Sequence, residues 1–229
     1  MPSKLSLHTP TFMPQEPLLI LDLDETLIHA SPTKVREEAD FQVFHYFVYK
    51  RPGLAEFLTT CAQHFKLAIW SSASDDYVQA VVQQILPPGI ILEFVWGRSR
   101  CTPFTTPQID EYGYYNLDGT SYYEYAKRLK KVRRRGFSLA QTLIVDDTPA
   151  KVQQNYGNAI YIKPYVGSTE DEEFSHLAPY LLKLLDSTQV TRPSGYADHR
   201  ETKLVARRSS RHTERVIKRA RHNRGAPFL

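Results

Sequence analysis

The chain has 229 residues, 41% of them hydrophobic, with 29 Lys and Arg against 25 Asp and Glu and a formal charge of +4 at pH 7. That composition supports one core of ordinary size with an appendage, excludes collagen-like, coiled-coil and wholly disordered classes, and offers no run near the roughly 20 apolar residues of a membrane helix. Two cysteines, Cys61 and Cys101, and no signal-peptide-like run in residues 1–17 lead to the expectation of a soluble cytoplasmic protein (with the nucleus as a second option in a eukaryotic source) and no membrane partner.

Residues 17–22 are a continuous apolar run ending in a charge, the pattern of a strand covered on both faces in a parallel sheet. Residues 41–49, aromatic and β-branched, read as a strand in a hairpin with the polar segment before it. Beyond the breaker Pro52-Gly53, the residues Leu54, Phe57, Leu58 and Cys61 recur at helical spacing. Residues 66–70 form a second buried strand. The polar turn 71–75 can cap the next helix, whose apolar side carries Tyr77, Val78, Val81, Val82 and Ile85.

Pro87-Pro88 ends that helix, and residues 90–96 give a third strand. Residues 97–121, rich in Thr, Pro and Tyr, show no clear period and read as a loop or hairpin insertion. Residues 127–135 are densely basic, and Lys130, Lys131 and Arg133 to Arg135 read most simply as a solvated helix face. Residues 142–145 and 159–162 are further strands, and 170–185 a helix bent or divided at Pro179. Strands alternating with helices give an α/β domain with a mainly parallel sheet over residues 17–187, after an N-terminal extension, 1–16. Residues 188–229 are a basic tail: from 192 onward there are 11 Lys and Arg against 3 Asp and Glu. Two readings of it stay open, a flexible solvated terminus and electrostatic contact with nucleic acid or an acidic partner.

Three apolar runs end in polar chemistry: Asp22-Leu23-Asp24-Glu25-Thr26, Ser71-Ser72 and Asp146-Asp147. In open α/β sheets, ligands bind beyond the carboxyl ends of the strands, so these distant segments can converge. Carboxylates gathered there repel one another unless a cation neutralises them, and Mg²⁺ is the natural hard ion where the substrate carries phosphate. Singly, each acidic cluster is a cap or turn; together, each at a strand end, they point to a site.

Asp22-Leu23-Asp24-Glu25-Thr26-Leu27 resembles the DxDxT signature of haloacid-dehalogenase (HAD) phosphatases. With Ile28-His29, Arg51-Pro52-Gly53, Trp70-Ser71-Ser72-Ala73-Ser74 and Leu143-Ile144-Val145-Asp146-Asp147-Thr148-Pro149, it looks like the FCP1 (NIF) homology branch, which contains the small C-terminal-domain phosphatases of RNA polymerase II. The resemblance covers residues 18–185. It implies a Rossmann-like HAD fold with a small β-hairpin or loop insertion and no large cap domain. It also implies a Mg²⁺-dependent phosphatase acting through an aspartyl-phosphate, on phosphoserine or phosphothreonine in proteins.

By that resemblance Asp22 is the nucleophile and Asp24 the general acid and base, its main-chain carbonyl ligating the metal. Thr26 organises the phosphate loop or is simply a turn residue. Ser72 binds phosphate, with Ser71 as the alternative. Lys127 neutralises phosphate, although the family's Lys-Asp pair is here Lys127-Arg128. Asp22 and Asp147 ligate Mg²⁺, and Asp146 ligates it or orients Lys127. Arg51 is an ion-pair partner at the mouth. Aromatics such as Phe41, Phe44, Tyr46, Phe104, Tyr112, Tyr114 and Tyr115 either grip a peptide or cover the sheet. A small-metabolite phosphatase and a binding or scaffold protein of the same fold remain the alternatives.

Overall fold

A computed structural model of the chain describes residues 16–106 and 122–185. At its centre are five parallel strands in the order β10 (Ala159–Tyr161), β9 (Thr142–Asp146), β1 (Leu18–Leu21), β5 (Lys66–Trp70) and β6 (Leu92–Trp96). Register places Leu21 beside Val145 on one side and Ile69 on the other. The ends of β1, β5 and β9 are therefore neighbours, with β1 in the middle where the chain switches direction across the sheet. That crevice is where such sheets bind ligands.

The apolar runs are continuous because both faces of the sheet are covered. Leu19, Leu21, Leu67, Ile69, Leu143 and Val145 face a core shared with α1 (Leu54–Ala62), α2 (Asp75–Ile85) and α5 (Glu173–Leu185). Leu18, Ile20, Ala68, Trp70 and Ile144 face a second core that takes Leu129 and Val132 from around the short α3 (Lys130–Arg133). Helix α5 runs as one element through Pro179 and is not divided there. No helix among the described residues is long and apolar enough to cross a membrane.

Two small antiparallel sheets are added to this α/β body. One has the order β2 (Ile28–Ser31), β4 (Tyr46–Lys50), β3 (Phe41–Val43). The expected single strand 41–49 is thus two strands with a turn between them, and β4 pairs with β2 rather than with the polar segment before residue 41. No Gly or Asn marks that turn; Phe44 adopts φ 55° there, a left-handed conformation the residue type does not announce. The other sheet pairs β7 (Thr102–Thr106) with β8 (Tyr122–Ala126), so part of the insertion is a hairpin. Tyr112, Tyr114, Tyr115 and the basic tail lie outside the described residues.

Arg51 is the polar clamp of the body and does not stand at the mouth. It is 1% exposed. Its Nε and Nη2 donate to the two carboxylate oxygens of Asp171 at 2.7 and 2.9 Å, and Nη1 and Nη2 donate to the carbonyls of Thr26 and Lys163 at 3.0 and 2.8 Å. Such a fork ties the turn after β1 to the segment before α5. Arg51→Ala is expected to cost about 3–5 kcal/mol, because it orphans a carboxylate and two carbonyls at once. Urea denaturation at neutral pH measures it.

Candidate active site

Beyond Leu21 the chain turns sharply: the N–H groups of Leu27 and Ile28 both donate to the Leu23 carbonyl, at 2.8 and 3.1 Å. The turn leaves Asp22 fully buried and Asp24 on its shoulder. Asp22 Oδ1 accepts the Leu23 N–H at 2.8 Å and lies 2.6 Å from Lys127 Nζ, while Oδ2 lies 3.3 Å from Lys151 Nζ. Lys127 is also buried and donates to Asp146 Oδ2 at 2.7 Å. One ammonium thus bridges two carboxylates contributed by neighbouring strands.

Their charge states follow from that bridge. Burial pushes Asp22 up, but the Lys127 and Lys151 charges and the hydrogen bonds from Lys127 and Leu23 hold it below the usual carboxylate range. Burial works against a charged Lys127 too, and Asp146 and Asp22 overturn it, holding the ammonium above its ordinary value. Asp146 bears the opposite balance: burial and the Asp22 charge raise it despite Lys127.

Asp22, Asp146 and Asp147 each offer an oxygen within 4.8 Å of the others. Asp147 Oδ2 accepts from the Thr148 hydroxyl at 2.9 Å, whereas its Oδ1 is buried without a hydrogen-bond partner. Glu25 senses Asp24, Asp147 and Asp22 as like charges; with burial as the larger cause, its carboxyl is raised to about 7. Five carboxylates therefore meet two lysines, an excess of negative charge built from oxygen donors only. A hard divalent cation fits that donor set and would satisfy the orphaned oxygen.

Asp24 turns its carboxylate away from this trio. Tyr77 donates to its Oδ1 at 2.7 Å and Ser71 to its Oδ2 at 3.2 Å. Burial foremost, then the Asp22 charge, raises Asp24 above its ordinary value, against the pull of those hydrogen bonds. A carboxyl so held keeps its proton longer than an exposed one, which suits a proton donor.

A family model described as "NLI interacting factor-like phosphatase" matches residues 17–191. The chain belongs to that family. It is 29% identical over 179 residues to "Phosphatase PSR1" of Saccharomyces cerevisiae, covering 75% of this chain and 37% of that protein. Against human "Carboxy-terminal domain RNA polymerase II polypeptide A small phosphatase 1" it is 26% identical over 173 residues, covering 72% of this chain and 58% of the other. The chain thus spans 37% of one relative and 58% of the other, less than two thirds of either. A solved structure of fission yeast "RNA polymerase II CTD phosphatase Fcp1-R271A bound to beryllium fluoride" aligns with TM-score 0.44 at 18% identity, over 93% of this chain and 68% of that one.

Within this NLI-interacting-factor-like domain, the fold brings together Asp22, Asp24, Lys127, Asp146 and Asp147 from the sequence reading. Ser71 is held by Asp24 and by the Ala73 N–H, which donates to its hydroxyl at 3.0 Å; the Ser72 hydroxyl makes no hydrogen bond among the described residues. Thr26 is buried and its hydroxyl has no hydrogen-bond partner among the described residues. Both cysteines are buried free thiols, and burial raises them, Cys61 to about 12, so neither is a ready nucleophile.

Two site residues escaped the sequence reading. Lys151 follows the Asp146-Asp147 pair on α4 (Pro149–Val152), where Pro149 starts a helix that carries it back toward Asp22. Tyr77 lies among the apolar residues of α2, but its phenol tip reaches Asp24. A Tyr on a Val-rich face was the one signal that this face meets something polar.

Proposed function

We propose that this chain is a Mg²⁺-dependent phosphatase that transfers the phosphoryl group to Asp22 and then to water, acting on phosphoserine or phosphothreonine in polypeptides. The observation that carries the reading is a buried Asp22 carboxylate kept ionised by Lys127 and Lys151 at the crevice of the sheet. An ionised, desolvated carboxylate is a competent nucleophile toward phosphorus, and the lysines spread positive charge where the phosphoryl oxygens arrive.

In the first step an Asp22 oxygen bonds to phosphorus, the ester bond breaks, and Asp24 gives its proton to the departing alcohol oxygen. In the second, Asp24 takes a proton from water, the water oxygen bonds to phosphorus, and Asp22 leaves as carboxylate. The free Ser72 hydroxyl and the unpartnered Thr26 hydroxyl are the donors available to phosphoryl oxygens and their loop. Asp22, Asp147 and Asp146, with the Asp24 main-chain carbonyl, would hold Mg²⁺. When bound, it supplies charge that offsets the phosphoryl oxygens. The protein-substrate class is supported by family membership and by a relative named for a polypeptide substrate.

Release of phosphate from p-nitrophenyl phosphate, dependent on added Mg²⁺ and abolished by chelation, tests the activity. Borohydride quenching during turnover tests the intermediate, since reduction of an aspartyl-phosphate leaves homoserine at position 22, visible by peptide mass spectrometry. An active protein that never yields homoserine there would overturn the assignment of Asp22. Sugar phosphates and nucleotides hydrolysed much faster than phosphopeptides would favour the small-metabolite alternative.

Tyr77→Phe separates the acid from the nucleophile. Losing that donor removes an interaction that favours ionised Asp24, so its carboxyl rises further. The alkaline limb of kcat/KM is expected to move up by about half to one pH unit, the size of one modest hydrogen bond. A pH–rate profile on an aryl phosphate checks it.

A further inference from the structure

The densely basic segment after Lys127 is not simply a solvated face. Lys131 Nζ donates to the carbonyls of Arg100 and Cys101 at 2.7 and 2.9 Å. The Arg100 guanidinium lies 5.1 Å over the Trp96 ring, and that of Arg135 lies 5.6 Å over Phe94. Arg98 stacks 5.1 Å over Tyr125, and its Nε donates to the Ser72 carbonyl at 2.9 Å. These contacts fix a line of cations. It starts beside Ser72 at the mouth and follows β6 from Trp96 back to Phe94.

Among the described residues this line is left without direct ion-pair partners. None of Arg98, Arg100, Arg128, Lys131 and Arg135 forms an ion pair among the described residues. Of the nearby carboxylates, Glu93 pairs with Lys66 at 3.1 Å, Asp75 accepts from the Ser99 hydroxyl and amide, and Glu124 is exposed, so these partly offset the line without pairing with it. Arg128 Nε is buried with no hydrogen-bond partner among the described residues. Lys131 is pushed below its ordinary value, by burial first and then by the charges of Arg100, Arg128 and Lys130, with Cys101 acting the other way. Like charges held this close on fixed supports cost free energy that an incoming anion would relieve.

We propose that this rim binds acidic or additionally phosphorylated residues flanking the phosphoresidue of the substrate polypeptide. The inference rests on the phosphatase reading and names its substrate class more closely. Continuity with the mouth favours a segment of the substrate itself, because Arg98 is tied to Ser72 and Ser71 holds Asp24. Phe94 and Trp96 stand two residues apart on β6, about 7 Å, so the stacked guanidiniums face two or three residues of an extended peptide. Nucleic acid suits the surface less well. Phe94 and Trp96 are each 6% exposed beneath the guanidiniums, so neither offers a ring face for base stacking.

The test compares a phosphoserine peptide with neutral flanks against versions carrying four glutamates before or after the phosphoserine. With the full chain, one acidic version is expected to show KM about tenfold lower at unchanged kcat, a gain that fades at high salt. The Arg100→Gln/Arg135→Gln double variant should lose that gain and keep its rate on p-nitrophenyl phosphate. The basic tail is present in both proteins, so the difference between them is the readout. If the double variant melts early, Lys130→Gln, an exposed neighbour of Lys131, gives the second reading.

Equal KM values for neutral and acidic peptides, in protein that hydrolyses p-nitrophenyl phosphate, would overturn the rim and leave the phosphatase standing. No hydrolysis of any substrate would overturn the phosphatase, and anisotropy of labelled acidic peptide on wild type and double variant would then judge the rim alone. Single-stranded nucleic acid binding more tightly than the acidic peptide, through the same arginines, would overturn the partner class.

Discussion

Asp22→Asn is expected to lower phosphate release by about four orders of magnitude or more while leaving the fold in place. Loss of a catalytic nucleophile commonly costs that much, because the remaining groups then act on a reaction with no first step. The amide keeps the shape of the carboxylate and can still accept from Leu23 and Lys127, and Lys127 retains Asp146. The substitution gives up a charge that both lysines favour and in exchange relieves Asp146 of a like charge. The melting temperature should therefore stay within a few degrees of wild type. Phosphate release from p-nitrophenyl phosphate, with a thermal melt on the same preparation, measures both. Activity within tenfold of wild type would show that another group attacks phosphorus.

How far the sequence foretold this site depends on the distance over which each cue acts. The five sheet strands were legible because burial on both faces writes itself as an unbroken apolar run, seen in residues 18–21 and 142–145. The candidate catalytic aspartates Asp22 and Asp146 were legible because each closes such a run, where a parallel sheet must present it. Partners that come from another element were not. Asp171 lies 120 residues from Arg51, and nothing local distinguishes it from its acidic neighbours. Lys151 reaches Asp22 only because β9 lies beside β1. That Ser71 rather than Ser72 meets Asp24 was equally beyond the sequence, since one residue of register decides it. The β3–β4 turn hid for a different reason: its left-handed residue is Phe44, where turn chemistry looks for Gly or Asn.

Lys127→Met should damage stability as well as activity. The side chain is buried between Asp22 and Asp146, so Met fills the space but leaves two carboxylates without their shared cation. Breaking a buried pair by deleting one partner costs about 3–5 kcal/mol. The pH dependence separates this from packing damage. In wild type, Asp22 is held below its unfolded value, so its contribution is present above that value and fades only as pH falls through the folded one. Lys127 is raised, so its contribution is complete below its unfolded value and fades as pH climbs through the folded one. At neutral pH both are intact. Without Lys127, burial and mutual repulsion raise Asp22 and push Asp146, already raised in wild type, further up, so the folded state binds more of the protons that the unfolded state releases than wild type does. The penalty therefore grows as pH rises from about 4 toward 7. Urea denaturation of both proteins in metal-free buffer should show a smaller difference at pH 5 than at pH 7, and an equal difference at the two values would assign the loss to packing alone.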